Sequence, residues 1–317
     1  MSITLCVCTY NRGPRIEETL GSIARANTAR LDELLVIDNN SSDSTPGVVR
    51  GFIDEHTSLP VRMVRETEQG LTHARARALR ENQSELFAFI DDDVLLEPGW
   101  IDAIVGRFDQ SDQIGAVGGI VEIAWEAGPT KLALKRRSNL AYQNLGDRAF
   151  ERSGATQGLA GAALALRASA VRASGWPGNA VLSDRVGSTT SSAGDYEIVA
   201  RVRQAGYEVW YEPGARCHHQ VEASRQTDAY LLKLGIGIAS SMPWYEWVCA
   251  GEPAGDEGIR WAQERMRETQ RRLNRTKRLE YRPKRRRFRI QERQAGIDAY
   301  RAIVRRLETE MGSSSGA

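Results

Sequence analysis

The chain has 317 residues and a formal net charge of +2, with 41% hydrophobic and 26% charged residues. That usage excludes a chain disordered throughout and a fibrous or low-complexity assembly. No apolar run approaches the ~18–20 residues that span a bilayer, and Met1 leads into the strand-like Ile3-Thr4-Leu5-Cys6-Val7 without a basic region and cleavage site, so a cytoplasmic chain is expected.

Through residue 120, short apolar runs alternate with helical patterns, the signature of βαβ units and a parallel sheet. Strands are expected at Ile3–Cys8, Glu33–Ile37, Val61–Val64 and Leu86–Ile90. Between the first two, Ile16, Leu20, Ile23 and Ala24 recur at helical spacing, and Pro14 sits where a first turn tolerates proline. Thr45–His56 repeats the plan, with Ser44 or Thr45 as the cap and Pro46 at the next position. A third helix is expected over 70–81. Beyond the acidic triplet at 91–93, the pattern predicts a helix over 98–108 and a strand over 115–123.

Residues 125–157 are polar and poorly periodic and read as a loop-rich excursion. Gly158–Leu166 reads as a strand, Asp195–Ala205 as a helix ended by a left-handed Gly206, and Tyr207–Tyr211 as a further strand. Beyond residue 255 the composition changes. Residues 256–317 hold 18 Lys and Arg against 9 Asp and Glu, a local charge of +9, which leaves −7 for residues 1–255. Helices are expected over 260–280 and 291–310, with Pro283 between them. The chain thus divides into 1–255, with halves 1–120 and 121–255, and 256–317, a basic helical extension.

Four cysteines, at 6, 8, 217 and 249, make neither a disulfide framework nor a CxxC pair. A closed zinc site would need more ligands than Cys217-His218-His219 supplies. The strongest chemical signal is Phe87-Ala88-Phe89-Ile90-Asp91-Asp92-Asp93, three carboxylates where a buried strand ends. Ligands of open α/β sheets bind outside the carboxyl ends of the strands. Adjacent acids repel unless a cation neutralises them, and their oxygens suit hard Mg2+ or Mn2+. The neighbouring strands end in Thr9-Tyr10-Asn11-Arg12 and in Asp38-Asn39-Asn40-Ser41-Ser42-Asp43. Asp38 can accept from a base or ribose, Tyr10 can stack on a base, and Arg75 can reach a diphosphate.

These stretches, with Gly70-Leu71-Thr72-His73-Ala74-Arg75, Gly194-Asp195-Tyr196-Glu197 and Tyr211-Glu212-Pro213 through His218-His219, keep an order and spacing that resembles the family 2 glycosyltransferases over residues 2–225. The resemblance implies the GT-A fold, an α/β nucleotide-binding sandwich with a mostly parallel central sheet. It also implies an inverting transfer from a nucleoside-diphosphate sugar, a UDP-sugar by preference, to a carbohydrate, lipid-linked or small-molecule acceptor. Thr9, Asp38 and Arg75 would hold nucleoside and diphosphate, with Tyr10, Arg12 and Asp92 beside them. Asp91 and Asp93 would be the outer acids of a DxD motif, Asp93 the ligand of Mn2+ or Mg2+ and His218 its complement. Residues 1–255 would be the catalytic domain, with 1–120 its nucleotide-sugar-binding half and 121–255 its acceptor-side half, and Asp195 would be the general base. Relatives commonly carry Glu-Asp where this chain has Gly194-Asp195, which leaves a non-catalytic sugar-nucleotide binder as an alternative.

Asp91-x-Asp93 after a strand also resembles the nucleophile loop of haloacid-dehalogenase phosphatases, with Asp91 as nucleophile, but that scheme does not require Thr9, Asp38 and Arg75. No GxGxxG follows the first strand, which excludes a dinucleotide fold. The extension 256–317 fits a solvated tail, a homo-oligomer contact or peripheral attachment to a membrane. It lacks the aromatic interleaving of a nucleic-acid binder.

Overall fold

The computed structural model describes residues 1–182 and 193–314. Its first half is the expected alternation: β1 (Ile3–Thr9), α1 (Arg15–Arg25), β2 (Leu31–Asp38), α2 (Thr45–Glu55), β3 (Val61–Arg65), α3 (Leu71–Glu81) and β4 (Leu86–Asp91). A short β5 (Val94–Leu96), α4 (Trp100–Phe108) and a long β6 (Ile114–Trp125) follow. The excursion is more regular than its sequence suggests, with α5 (Lys131–Lys135), a 3-10 turn at Arg137–Leu140 and the two-residue β7 (Phe150–Glu151). Then come β8 (Ala163–Arg167), α6 (Ala168–Ala173), α7 (Gly194–Gln204) and β9 (Glu208–Val221). Three helices close the described chain: α8 (Asp228–Cys249), α9 (Gly255–Leu279) and α10 (Pro283–Ser314).

The sheet order is β3-β2-β1-β4-β8-β6-β9-β5, with β7 on β9. β3, β2, β1 and β4 run parallel; β8 is antiparallel to both β4 and β6, and β9 runs parallel to β6. The first strands are buried on both faces, which is why they read as continuous apolar runs. One core lies under α1, α2 and α4, built from Leu5, Val7, Leu20, Val36 and Trp100. The opposite face buries Ile37, Phe87, Phe89, Ile198 and Val202 against α3, α6 and α7.

Several boundaries depart from the sequence reading. The run 158–166 is strand only from Ala163, because Gly158 and Gly161 press against the start of α7: a Cβ on Gly158 would lie 1.6 Å from the Tyr196 ring. The strand expected to end at Tyr211 continues to Val221, its register with β6 shifting between Gly118 and Ile120. The last helix starts at Pro283 rather than near 291, since proline both ends α9 and opens α10. Neither Ser44 nor Thr45 caps α2 with its side chain. Thr45 Oγ1 instead accepts from the Arg12 and Gly13 amides at 2.8 and 2.7 Å. Gly206 is left-handed, with φ +90°, as expected of a residue ending α7.

Candidate active site

β1, β2 and β4 lie side by side in parallel, so Thr9, Asp38 and Asp91 emerge at one sheet edge, with Thr9 opposite Asp38 and Cys8 opposite Asp91. The loops beyond are laced together. Asn11, at φ +50°, accepts from the Ser42 amide through Oδ1 at 2.9 Å and gives its own amide to Ser41 Oγ at 3.0 Å. Asp38 is buried and its Oδ1 accepts from the Ser41 amide at 3.1 Å. Thr9 is buried at the strand end, Tyr10 is exposed beside it, and Arg75 is buried in α3 with Nη2 3.7 Å from Asp91 Oδ1. The structure thus brings Thr9, Tyr10, Asp38, Arg75 and Asp91 together at the carboxyl ends of these strands.

The acidic turn is held by Arg12, His219 and Arg225, of which the sequence reading gives a site role only to Arg12. Asp93 Oδ2 accepts from Arg12 Nη2 at 2.5 Å and Arg225 Nη1 at 2.9 Å, and its Oδ1 lies 3.2 Å from His219 Nε2. Burial disfavours the Asp93 charge, yet His219, Arg12 and Arg225 hold this carboxyl well below the usual range. Asp92 accepts from Arg12 Nε at 2.7 Å. Burial pushes its carboxyl up to about 6, Arg12 opposing and the Asp93 charge adding to the rise. Arg12, expected at the donor, is therefore the counter-ion of Asp92 and Asp93, with Glu222 3.4 Å from its Nη1.

β9 decides between the two histidines. Alternate residues of a strand face opposite ways. His219 is buried and turned to Asp93, whereas His218, expected to complement the metal, is turned away to Glu97, 3.0 Å from its Nε2. Cys217 is buried, donates to the Ile120 carbonyl at 3.6 Å, and has its thiol pushed up by burial. The Cys217-His218-His219 run is thus no common ligand set, and among the described residues no group of three His, Cys, Asp or Glu is preformed for a metal. His219 Nδ1 faces the Leu140 carbonyl at 2.8 Å, and a carbonyl only accepts, so Nδ1 carries the proton. Nε2, on the other side of the ring, faces Asp93 Oδ1 at 3.2 Å; a protonated ring donates to that carboxylate, and a ring whose Nδ1 is oriented by a carbonyl is the arrangement that ligating histidines adopt. The residues fit an oxygen- and nitrogen-binding divalent ion.

Asp195 is the second residue of α7. The helix is preceded by Ala193 in the left-handed region, with φ +88°, and Asp195 does not cap it. Its Oδ2 accepts the Gly161 amide at 2.7 Å. Glu197 points elsewhere: fully buried, it accepts from the Val181 and Leu182 amides and from Arg201 Nε at 2.8–2.9 Å. It is a packing carboxylate, which separates it from Asp195. Arg225, Glu222 and His219 are the site residues that sequence reasoning missed or underweighted; only the alternation of β9 could have favoured His219 over its neighbour.

A family model described as glycosyl transferase family 2 matches residues 4–173. Validoxylamine A glucosyltransferase of Streptomyces hygroscopicus subsp. jinggangensis is 34% identical over 106 residues, 32% of this chain and 24% of that protein. Glucosyl-dolichyl phosphate glucuronosyltransferase of Haloferax volcanii is 28% identical over 130 residues, 40% of each chain. The match thus spans about a quarter to two fifths of the length of these relatives. Among solved structures, the mannosyltransferase PcManGT from Pyrobaculum calidifontis in complex with GDP-Man and Mn2+ superposes with TM-score 0.57 at 21% identity, over 95% of this chain and 86% of that one. GalNAc-T7 with UDP, GalNAc and Mn2+ gives 0.54 at 14%, over 77% and 51%. These likenesses show a GT-A-like nucleotide-binding sandwich with a helical C-terminal extension.

Proposed function

Because this chain belongs to glycosyl transferase family 2, we propose that it moves a sugar from a nucleoside-diphosphate sugar to an acceptor hydroxyl, inverting the anomeric carbon. The observation that carries the reading is the convergence at one sheet edge of Thr9, Asp38 and Asp91 with the Asp92-Asp93 turn, together with a carboxylate, Asp195, held on the acceptor side by a backbone amide.

In this reading Asp38 and Thr9 bind the nucleoside, Tyr10 lies against the base, and Arg75 faces the diphosphate. Asp91 and Asp93 would hold Mn2+ or Mg2+ with His219. When bound, the ion offsets the negative charge of the departing nucleoside diphosphate. Arg12 and Arg225 fix the acidic turn. Asp195 takes the proton from the acceptor hydroxyl while that oxygen bonds to the anomeric carbon. The bond from that carbon to the diphosphate oxygen breaks on the opposite face, and its electron pair leaves with the nucleoside diphosphate. The two solved structures hold different nucleotides, UDP in one and GDP-Man in the other; a uridine donor is proposed here from Asp38.

The test is a thermal-shift screen of nucleotide sugars with Mn2+, since a ligand of the native state raises the midpoint with its affinity, followed by nucleoside diphosphate release with the preferred donor. Asp93→Ala should abolish metal-dependent release. Asp195→Asn should keep the donor-induced shift and lose turnover; full turnover in that variant would exclude Asp195 as the base.

A further inference from the structure

We propose that the tip of the α9–α10 hairpin docks on an anionic phospholipid bilayer. The proposal goes beyond sugar transfer, and its readout requires no turnover. Residues 269–291 contain eleven Lys and Arg and a single acid, Glu280. That acid is already engaged by Arg285 and Arg289, at 3.3 and 3.1 Å. Only residues 280–282 join α9 to α10, so the last turn of one helix and the first turns of the other present their charges together.

The placement of these charges is informative. Basic residues suit the C-terminal turn of α9, but Arg285, Arg286 and Arg287 lie in the first turns of α10, where the helix dipole disfavours cations. Arg286 and Arg287 are exposed; Arg286 Nη2 donates to the Lys277 carbonyl at the end of α9, but no acid is paired with either among the described residues. An anionic partner outside the chain would compensate their charge. At the apex, between the basic turns, stand the two most exposed large apolar side chains among the described residues, Leu279 at 60% and Tyr281 at 81%. A branched aliphatic has no stacking face for a base but gains from hydrocarbon, and tyrosine suits the boundary between headgroup and chain. Anionic lipid therefore matches both parts of the tip better than nucleic acid does. No described helix is long and apolar enough to cross a membrane, so the contact is peripheral.

The tip is also tied to the site. From Pro283 to Glu292 is nine residues of α10, about 13 Å of helix. Glu292 pairs with Arg136 at the end of α5. The turn that follows ends at Leu140, whose carbonyl orients His219. Docking at the tip would place the acceptor-side excursion beside the lipid surface.

The test is co-sedimentation of the full chain with vesicles of phosphatidylcholine alone and of phosphatidylcholine with phosphatidylglycerol, at low and high salt, with a short DNA duplex as competitor. Expected is partition onto the anionic vesicles alone, weakened by salt. Removing one basic side chain should cost about fivefold in partition, so Arg278→Glu, Arg282→Glu and Arg286→Glu together should abolish it. Leu279→Ser with Tyr281→Ser should leave the salt dependence and reduce binding. All five changes lie on exposed residues, and an unaltered melting temperature checks that folding is intact. Equal binding to neutral vesicles, no binding to anionic ones, unchanged binding in the charge variant, or full displacement by equimolar duplex would each overturn the proposal. Loss of binding would leave the transferase reading standing, and an inactive chain that still docked would separate the two.

Discussion

Gly161 gives its amide to Asp195 Oδ2, and Gly161→Ala tests whether that carboxylate must stand where it does. The added Cβ would lie 2.5 Å from both Cβ and Oδ2 of Asp195, and 2.8 Å from its Cγ. Non-bonded carbons settle at about 3.5 Å, so the carboxylate or the 161 backbone has to retreat by about 1 Å. Gly161 is not in the left-handed region, so the substitution acts through space alone. A retreat of that size costs about 100-fold in rate for a positioned catalytic group, about 2.7 kcal/mol of barrier. The crowding itself costs about 1–3 kcal/mol of stability. The donor residues on β1, β2 and β4 are untouched, so the loss should fall on kcat and spare the donor-induced thermal shift. The assay is nucleoside diphosphate release under saturating donor, with donor binding read by thermal shift on the same preparation. If the variant bound donor and turned over within about threefold of the parent, the reasoning that Asp195 acts from its place against Gly161 would fail, because a base is sensitive to displacement on this scale.

Other outcomes follow from the same geometry. His219→Ala should raise the metal concentration needed for release by about 10–100-fold, while His218→Ala should leave it unchanged; titration of both variants with Mn2+ checks this, and equal effects would refute the orientation of β9. Glu197→Ala leaves Arg201, itself buried, without its neighbour's carboxylate and strips the acceptor from two amides. Chemical denaturation should show a loss of about 3–5 kcal/mol, and a loss below about 1 kcal/mol would mean that Glu252, 2.8 Å from Arg201, suffices alone.

Much of the first 120 residues was legible because β1, β2 and β4 are apolar on both faces and the helices between them each have a buried stripe. The acids at 91–93 stood out because charge follows a fully buried run without a break. The three-residue β5 could not be read, since it pairs only with β9, more than 120 residues on. α8 was hidden for a different reason. It is buried by α7, α10 and the excursion and carries Pro243 internally, so its apolar residues follow no single face. The partners of the acidic turn were equally obscure. Arg225 and Glu222 come from the turn after β9 and carry no local pattern; only the tertiary fold brings them to Asp93 and Arg12. The choice of His219 over His218 is a matter of strand register, which composition does not encode.

β9 has a consequence for how this chain can change length. It lies between β6 and β5 and also pairs with β7, so its backbone is tied to three other strands. Inserting or deleting one residue between Arg216 and His219 would exchange the two histidines, turning His218 to the acids and His219 outward, while leaving the composition almost unaltered. Gly119 tightens the constraint, for a Cβ there would fall 1.8 Å from the Ala215 carbonyl oxygen. Length variation is better borne by the excursion over 125–157, which carries none of the acids at 91–93, so that the strand that sets His219 against Asp93 keeps its length.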